Sequence, residues 1–479
     1  MQAHKLITGT TGSGKSRFIA SLAVQLLNCG IAVGVIDPHG DLVRSILAIL
    51  LATGFYENSK AYERVWYIDF GREDAFLPFN VLSQPFPVHT VAANVVEAFK
   101  RAWPSLADGS AASFENMLLA ASVVLIENKL PLTALRRLLS DPDFREPLVQ
   151  RTTDALIKDF FQYQFASYGK RAGMLSESTL RRVFLLSFSP ALRFSLGQRE
   201  NRLNLRTLMD NNISCLFNLS NLDAQTQRLL GSLLTVSYET ASLSRADMPE
   251  EKRKPYHLFI DEFGQFCSQS EEALERMLVL TRKYGLSVTL ASQVVAQIKH
   301  LYPALQNALH MTLRMGDVDA PFLAPKFTST ELAQIHLAGA DRFLSPQATS
   351  TTSISDAQAR LAWGKLVQEL EPREALIKLG HETVRMKTIG VPDHPELEKQ
   401  LALVERVYAG KLLTPHSEIT DVAGDGNAGV SDLSPNREAS PRLGNAPAPV
   451  KREKDSDNVS PGTPPTGTRR SRRVVVDDE

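Results

Sequence analysis

The chain has 479 residues, and its 53 basic and 53 acidic side chains give a formal net charge of zero at pH 7. This length predicts two to four domains, at roughly 100–200 residues per domain. A composition of 43% hydrophobic and 22% charged residues excludes a wholly disordered chain, a collagen and a disulfide scaffold. The neutral balance gives no support for a protein that wraps nucleic acid with its whole surface, and leaves only a local basic patch open.

The cysteines and the hydropathy pattern indicate an intracellular protein. Cys29, Cys215 and Cys267 are too few and too widely spaced for a disulfide framework or a four-thiolate zinc site. No run of 18 apolar residues occurs, so we expect no intrinsic membrane anchor. The first residues lack the apolar region of a signal peptide. The expected location is the cytoplasm, where any membrane association would be provided by a partner protein.

The first part of the chain predicts alternating strands and helices. Residues 4–8 read as a short strand, followed by a glycine-rich turn and an apolar helix over residues 15–29 that ends at Gly30. Residues 31–36 form a continuous apolar run, which is typical of a buried parallel strand, and residues 65–70 read as another strand. This order predicts a mainly parallel sheet with right-handed crossovers.

The middle of the chain predicts a helical insertion. Helical periodicity dominates residues 88–188, with helices expected at 90–103, 113–127 and 152–164, so we predict an inserted all-α domain there. The α/β domain is then expected to comprise residues 1–87 and 189–414. Its later strands are predicted at 213–219, 256–260, 286–291, 310–315, 375–379 and 383–389, and its later helices at 223–243, 270–284 and 395–409.

The last segment has a different composition. Residues 415–479 contain no Phe, Trp or Tyr and are rich in Pro, Ser, Asp, Gly and Asn. Such a segment buries too little apolar surface to offset its chain entropy, so we predict a disordered C-terminal tail. The arginines near its end fit either a solvated tail or one that docks on a partner.

The turn after the first strand matches the phosphate-binding pattern G-x-x-x-x-G-K-[ST]. Glycines in this pattern let backbone N–H groups turn toward a phosphate, and the following helix adds its positive end. Lys15 would reach the β- and γ-phosphates of a nucleotide, and Ser16 would hold Mg²⁺. The predicted nucleotide-binding residues are Gly9, Thr10, Thr11, Gly12, Ser13, Gly14, Lys15 and Ser16.

A second motif, a pair of acidic residues, follows the apolar strand at residues 256–260. A carboxylate at a strand end can orient Mg²⁺, and an adjacent one can polarise an attacking water. We therefore predict Asp261 as a magnesium ligand and Glu262 as the general base, against the alternative of a capping pair before the next helix. The wide gap between Lys15 and Asp261 requires a large insertion, which the helical block supplies. No guanine-reading Asn-Lys-x-Asp motif occurs, which argues against a GTPase.

Three further features have two readings each. Gln293 follows a buried strand and could sense the γ-phosphate, or it could be an ordinary loop amide. Arg282 could reach into a neighbouring subunit's nucleotide site, or it could only complement the helix dipole; Arg314 is the rival candidate. The turn at residues 37–41, Asp-Pro-His-Gly-Asp, could line the nucleotide crevice or be a plain turn.

Together these motifs resemble the HerA/FtsK group of RecA-like P-loop motors, and most closely the conjugative coupling ATPases of the TraG/TraD type. The elements that carry the resemblance run from Gly-Thr-Thr-Gly-Ser-Gly-Lys-Ser and Val-Ile-Asp-Pro-His-Gly-Asp through Leu258-Phe-Ile-Asp-Glu-Phe-Gly to Arg282-Lys-Tyr-Gly, Ala-Ser-Gln293 and Leu-Arg-Met-Gly. They span most of residues 4–330. The helical insertion matches the all-α domain that this family carries between its two ATPase motifs.

The resemblance implies a RecA-like fold and an ATP- and Mg²⁺-dependent ring, usually a hexamer, that pumps DNA through a central channel during conjugative transfer. It also implies that Lys15, Glu262, Gln293 and Arg282 carry the catalysis, Arg282 across a subunit interface. Relaxosome or secretion-channel proteins are the implied partners. Only eight residues precede Gly9, whereas membrane-anchored relatives carry transmembrane helices there.

Two other functions stay open from the sequence. One is a HerA-like translocase or helicase for DNA processing, which keeps the motor and changes its task. The other is an ATP-switched recruitment platform that does not translocate. Translocation needs hydrolysis that DNA stimulates and binding that weakens steeply with salt, and a platform needs neither.

Overall fold

A mainly parallel β-sheet forms the centre of the molecule. The computed structural model describes residues 4–106, 112–165, 182–266, 271–305, 307–316, 319–321, 323, 356–379, 382–388 and 396–419. Within these residues nine strands form one sheet in the order β10-β9-β8-β1-β7-β6-β2-β5-β3. The strands are β1 Lys5–Thr8, β2 Ala32–Asp37, β3 Val65–Asp69, β5 Ser214–Asn218, β6 Tyr256–Ile260, β7 Leu286–Ser292, β8 Leu309–Thr312, β9 Glu374–Leu379 and β10 Glu382–Lys387, while β4 Ala75–Phe76 and β11 Thr414–Pro415 form a separate pair.

The parallel core follows from the buried apolar runs. Every residue of β2, β6 and β7 is buried, as expected for strands covered on both faces. Strands β1, β2, β3, β5, β6, β7 and β8 pair in parallel, and only β9 runs antiparallel to its neighbours β8 and β10. The predicted fold class is confirmed, because the sheet and helices form a RecA-like α/β architecture.

The helices predicted at 15–29, 90–103, 113–127, 223–243, 270–284 and 395–409 begin and end within a few residues of those positions, and the others are not predicted. The helices are α1 Lys15–Asn28, α2 Asp41–Ala52, α3 Ala61–Arg64, α4 Val88–Ala102, α5 Ala112–Glu127, α6 Leu135–Ser140, α7 Pro142–Arg151, α8 Ala155–Asp159, α9 182–188, α10 Pro190–Leu196, α11 Leu205–Asp210, α12 Ala224–Leu243, α13 Glu271–Lys283, α14 Val295–Ile298, α15 Asp356–Gln368 and α16 Leu397–Leu412. Instead of one helix over 152–164, the chain forms α8 and a π-helical turn, Phe160–Phe165. Asp154 caps the start of α8 by accepting from the N–H of Leu156, which sets this later start.

Buried charged side chains connect the helical segment to a helix that packs on the sheet. Helix α4 packs along α12, which itself lies against the sheet: a Cβ at Gly34 of β2 would lie 2.6 Å from the hydroxyl of Tyr238. The guanidinium of Arg101 on α4 donates to Glu239 on α12 and to Glu97, at 2.9 Å in each case. Arg101 is only 3% exposed, so these bonds satisfy most of a buried cation. The division of the chain at residues 88 and 188 remains a prediction.

The C-terminal segment closes over the β3 edge of the sheet. Helix α16 packs on β3 and α2, and the hydroxyl of Tyr408 donates to the carbonyl of Val65. Strand β11 then pairs with β4, and the ring of His416 lies 4.4 Å from that of Phe194. Residues 415–419 therefore have a defined structure, although the predicted disordered tail begins at 415. Residues 420–479 lie outside the described part of the chain, as do residues 380–381 between β9 and β10.

Across the described residues, no helix is both long enough and apolar enough to span a membrane.

Candidate nucleotide-binding site

The predicted phosphate loop connects β1 to α1 at the carboxyl edge of the sheet. Gly14 has φ +96°, a left-handed conformation that side chains with a Cβ rarely adopt, and it directly precedes Lys15 at the start of α1. A Cβ at Gly9 would lie 2.8 Å from Ser13 Oγ, so the loop is also sterically closed to larger residues there. Ser13 is fully buried, and its hydroxyl has no hydrogen-bond partner among the described residues. The loop thus has the tight, inward-turned backbone of a phosphate cradle.

Four neighbouring strands end at this site. These strands are neighbours in the order β1, β7, β6 and β2. The phosphate loop follows β1, Gln293 follows β7, Asp261-Glu262 follows β6, and the turn that begins at Asp37 follows β2. Parallel strands end on the same edge of a sheet, so residues far apart in sequence meet there. The structure therefore brings together the predicted residues of four separate segments.

Lys15 forms a buried ion-pair cluster with both acidic residues. Its ammonium nitrogen lies 3.0 Å from Asp261 Oδ1 and 2.5 Å from Glu262 Oε1. Each of the three side chains is less than a tenth exposed. Charges buried this deeply are tolerated only when they are paired and hydrogen-bonded. The positive charge of Lys15 balances part of the negative charge of the two carboxylates that follow β6.

Glu262 and Gln293 extend this cluster to the other side of the loop. The backbone N–H of Gln293 donates to Glu262 Oε2 at 3.2 Å, and the hydroxyl of Thr11 donates to Gln293 Oε1 at 2.6 Å. A chain of polar contacts therefore runs from Thr11 through Gln293 and Glu262 to Lys15. Glu262 itself has φ +47°, a strained backbone conformation of the kind that concentrates at functional sites. Gln293 thus contacts both the phosphate loop and the acidic pair, and its role as a γ-phosphate sensor stays a prediction.

The turn after β2 contributes a buried acid to the same edge. Asp37 accepts hydrogen bonds from the backbone N–H groups of His39 and Val43, at 2.9 Å each, and so fixes the start of α2. Burial, reinforced by the nearby charge of Asp261, raises the pKa of Asp37 to about 6. His39 and Asp41 both line the cavity beside the phosphate loop. The turn therefore lines the crevice, which was one of its two readings from sequence.

A cavity of about 750 Å³ lies in front of these residues. Some of the residues that line this cavity are not predicted from the sequence. They are Arg17, Arg44, Pro372, Arg373 and Leu397. Pro372 and Arg373 come from the loop before β9, far from the phosphate loop in sequence. No sequence motif marks them, because only the antiparallel addition of β9 to β8 brings that loop to the site.

The predicted arginine finger lies elsewhere. Arg282 is in the last turn of α13, just before β7 begins, so it lies at the amino-terminal edge of the sheet, opposite the phosphate loop. Burial lowers the pKa of His4 to about 4, and the charge of Arg282 adds to this lowering. Arg282 is therefore near the start of β1 and does not reach the site of its own chain. The rival, Arg314, contacts the loop through its backbone carbonyl, which accepts from the N–H and hydroxyl of Thr10.

The predicted magnesium ligands suit that ion. Ser16 and Asp261 both line the cavity and offer a hydroxyl and a carboxylate oxygen. Mg²⁺ prefers oxygen ligands and binds through one or two protein groups together with phosphates and waters. Over the described residues, no group of three or more His, Cys, Asp or Glu side chains could hold a metal ion without such help.

The fold and this site define a RecA-like P-loop protein, and comparisons with known proteins point the same way. Residues 1–81 match the family described as the central domain of the helicase HerA. Residues 171–313 match the family described as the DNA-binding domain of type IV secretion-system coupling proteins. These two matches confirm the resemblance that the motifs indicate. A search of the curated proteins finds no match.

Solved structures of coupling proteins share the fold. The plasmid coupling protein TrwB in complex with the ATP analogue ADPNP is 16% identical, with a TM-score of 0.51 over 81% of this chain and 86% of that chain. TrwB in complex with the GTP analogue GDPNP, and TrwB with ADP and Mg²⁺, each give a TM-score of 0.50 over the same shares, at 16% and 15% identity. VirB4 of Thermoanaerobacter pseudethanolicus is 15% identical, with a TM-score of 0.47 over 83% of this chain and 91% of that chain.

Proposed function

We propose that this chain is an ATPase that drives DNA through a ring during conjugative transfer of a mobile element. The observation that carries the catalytic part is the cluster of Lys15, Asp261, Glu262 and Gln293 at adjacent strand ends. A phosphate-binding loop, a metal-binding carboxylate, a candidate base and a polar sensor are the parts that nucleotide hydrolysis requires.

Each residue has a distinct task in this proposal. Backbone N–H groups of residues 9–16 bind the phosphates, and Lys15 leaves the two carboxylates to pair with the phosphate oxygens. Glu262, released from Lys15, then accepts a proton from the attacking water. Ser16 and Asp261 would hold Mg²⁺, which would supply positive charge to neutralise the phosphates. The hydrogen bond between Gln293 and Glu262 links the phosphate end of the site to β7.

ATP is the proposed substrate because the guanine-reading motif is absent from the sequence. TrwB has been crystallised with both an ATP analogue and a GTP analogue, so the fold by itself does not select the base. Competition between ATP and GTP for the same site tests this point directly.

The proposal that the chain moves DNA rests on the match of residues 171–313 to the DNA-binding domain of coupling proteins. The proposed partners are DNA, further copies of this chain in a hexameric ring, and relaxosome or secretion-channel proteins. Arg282 supports a ring: it is exposed, and it lies on the opposite side of the sheet from the site of its own chain. If Arg282 acts on a nucleotide, that nucleotide is bound by a neighbouring subunit.

A DNA-processing translocase is the second candidate, favoured by the match of residues 1–81 to the central domain of HerA. The two candidates share the motor and differ in the DNA that stimulates it. Conjugative transfer moves a single strand, whereas DNA-end processing begins on a duplex.

The deciding experiment measures ATP hydrolysis with no DNA, with single-stranded DNA and with duplex DNA, each at two salt concentrations. We expect stimulation by single-stranded DNA that falls steeply at the higher salt, since phosphate contacts release counterions. Lys15→Ala is the control that removes nucleotide-dependent signal. Stimulation only by duplex would favour DNA processing, and hydrolysis indifferent to any DNA would reject a translocase in favour of an ATP-switched recruitment platform.

A further inference from the structure

A loop from the far end of the chain is bonded directly to the phosphate loop. The backbone N–H of Arg373 donates to the carbonyl of Ser13 at 3.1 Å, and the carbonyl of Arg373 accepts from the N–H of Thr388 at 2.7 Å. A Cβ at Gly14 would lie 3.4–3.5 Å from the backbone and Cγ of Arg373, so the two segments are in close contact. Arg373 is held between the phosphate loop and the residue that follows β10.

The backbone of Arg373 is strained at this point. Its φ is +73°, which is the left-handed region where residues with a Cβ are disfavoured and glycine is not. A glycine would fit this turn with less strain, so packing of the backbone gives no reason for an arginine. Such strain persists where a side chain has a use that outweighs it.

The side chain of Arg373 brings positive charge to the nucleotide cavity. It lines the same cavity as Lys15 and Arg44 and is exposed to it. Lys15 is paired with Asp261 and Glu262, and Arg44 is paired with Glu398. Arg373, in contrast, has no carboxylate partner among the residues that the structure describes. Its guanidinium is thus available to an anion that enters the cavity.

We propose that Arg373 binds the phosphate chain of the nucleotide held by its own subunit. The inference rests on the proposed function and adds a residue that acts within one chain, on the side of Gly14 away from Glu262. A guanidinium offers several N–H donors and retains its charge at all physiological pH values, so it suits a polyphosphate. Through β9 and β10, phosphate contact at Arg373 also connects the nucleotide to the antiparallel end of the sheet.

Arg373→Gly is the decisive variant, because it removes the cation and relieves the backbone strain together. We expect it to melt at the temperature of the wild type or above it, and to bind ATP about 10-fold more weakly. Inorganic tripolyphosphate, competing against a fluorescent ATP analogue, should lose affinity by a similar factor. Arg373→Lys should recover part of the loss. Arg385→Ala removes another half-exposed cation from the same hairpin, one that pairs with Glu374, and should leave both affinities unchanged.

The outcomes separate this inference from the proposed function. If Lys15→Ala abolishes ATP binding while Arg373→Gly binds ATP as the wild type does, the role of Arg373 is refuted and the ATPase assignment stands. A loss for ATP without a loss for tripolyphosphate would also refute it, since the contact would then be with the nucleoside. If the wild-type protein binds neither ATP nor tripolyphosphate, both proposals fail.

Discussion

Replacing Glu262 by glutamine tests the proposed base with almost no change of shape. In the structure Glu262 accepts from Lys15 Nζ at 2.5 Å through one carboxylate oxygen and from the N–H of Gln293 at 3.2 Å through the other. A glutamine has one acceptor oxygen, so its amide NH₂ must face one of these two donors. Lys15 keeps Asp261 at 3.0 Å as a full counter-charge.

The geometry sets the size of two separate effects. One charge-assisted hydrogen bond becomes neutral and one buried donor loses its acceptor, which together should lower the free energy of unfolding by about 2–4 kcal/mol without nucleotide. Loss of a general base typically slows catalysis by about 10²–10⁴-fold. ATP affinity should be retained or should rise, because Lys15 is held by one carboxylate fewer when it turns to the phosphates.

The assay combines single-turnover hydrolysis of ATP with a binding titration and a melting curve. Glu250→Gln, at an exposed acid before β6, is the matched control and should behave as the wild type in all three. A hydrolysis rate within threefold of wild type would remove Glu262 as the base. A parallel loss of binding and hydrolysis would mean that Glu262 only supports the loop.

Two other predictions follow from charges at the two edges of the sheet. Arg282→Ala should abolish ATPase activity in a ring of the variant alone, and mixing with Glu262→Gln subunits should restore part of it, since each subunit then supplies what the other lacks; activity that mixing does not raise would contradict action between subunits. Asp37→Asn should change the pH dependence of stability measured without nucleotide or Mg²⁺. The pKa of Asp37 is raised from 3.8 to about 6, so the contribution of this group to wild-type stability is fully present below pH 4 and falls by about 3 kcal/mol as the pH rises past 6. The variant lacks this fall but loses an acceptor for the N–H of His39 or Val43, at a cost of about 1–3 kcal/mol. It should therefore be clearly less stable than wild type at pH 4 and close to it at pH 8, and a difference independent of pH would refute the charge argument.

The sequence predicts the parallel core well, and for a physical reason. Strands such as β2, β6 and β7 are mainly apolar, as is typical of parallel strands that are buried on both faces. The phosphate loop and Asp261-Glu262 are also readable, because each is a short local pattern placed at a strand end. Gln293 could be proposed for the same reason.

The features that the sequence does not reveal depend on contacts between distant segments. Strand β11 is two residues long and pairs with the equally short β4, so neither carries a local pattern. The tail was therefore predicted to begin at 415, although the structure continues to 419. Arg373 is a similar case, since its left-handed backbone and its place beside Ser13 arise only when β9 joins the sheet. The order of strands around β1 could not be read from sequence either.

The central position of β1 also dictates when the site can form during synthesis. Strand β1 pairs with β7 and β8 and with no earlier strand, so its first partner in the sheet is Leu286–Ser292. At a ribosomal rate of about 5–20 residues per second, the strand and its loop wait on the order of 15–60 s for that partner. Contacts so distant in sequence also slow folding once the chain is released. Among the described strands β1 therefore has no partner until residues 286–292 have been synthesised, and the nucleotide site can form only after that point.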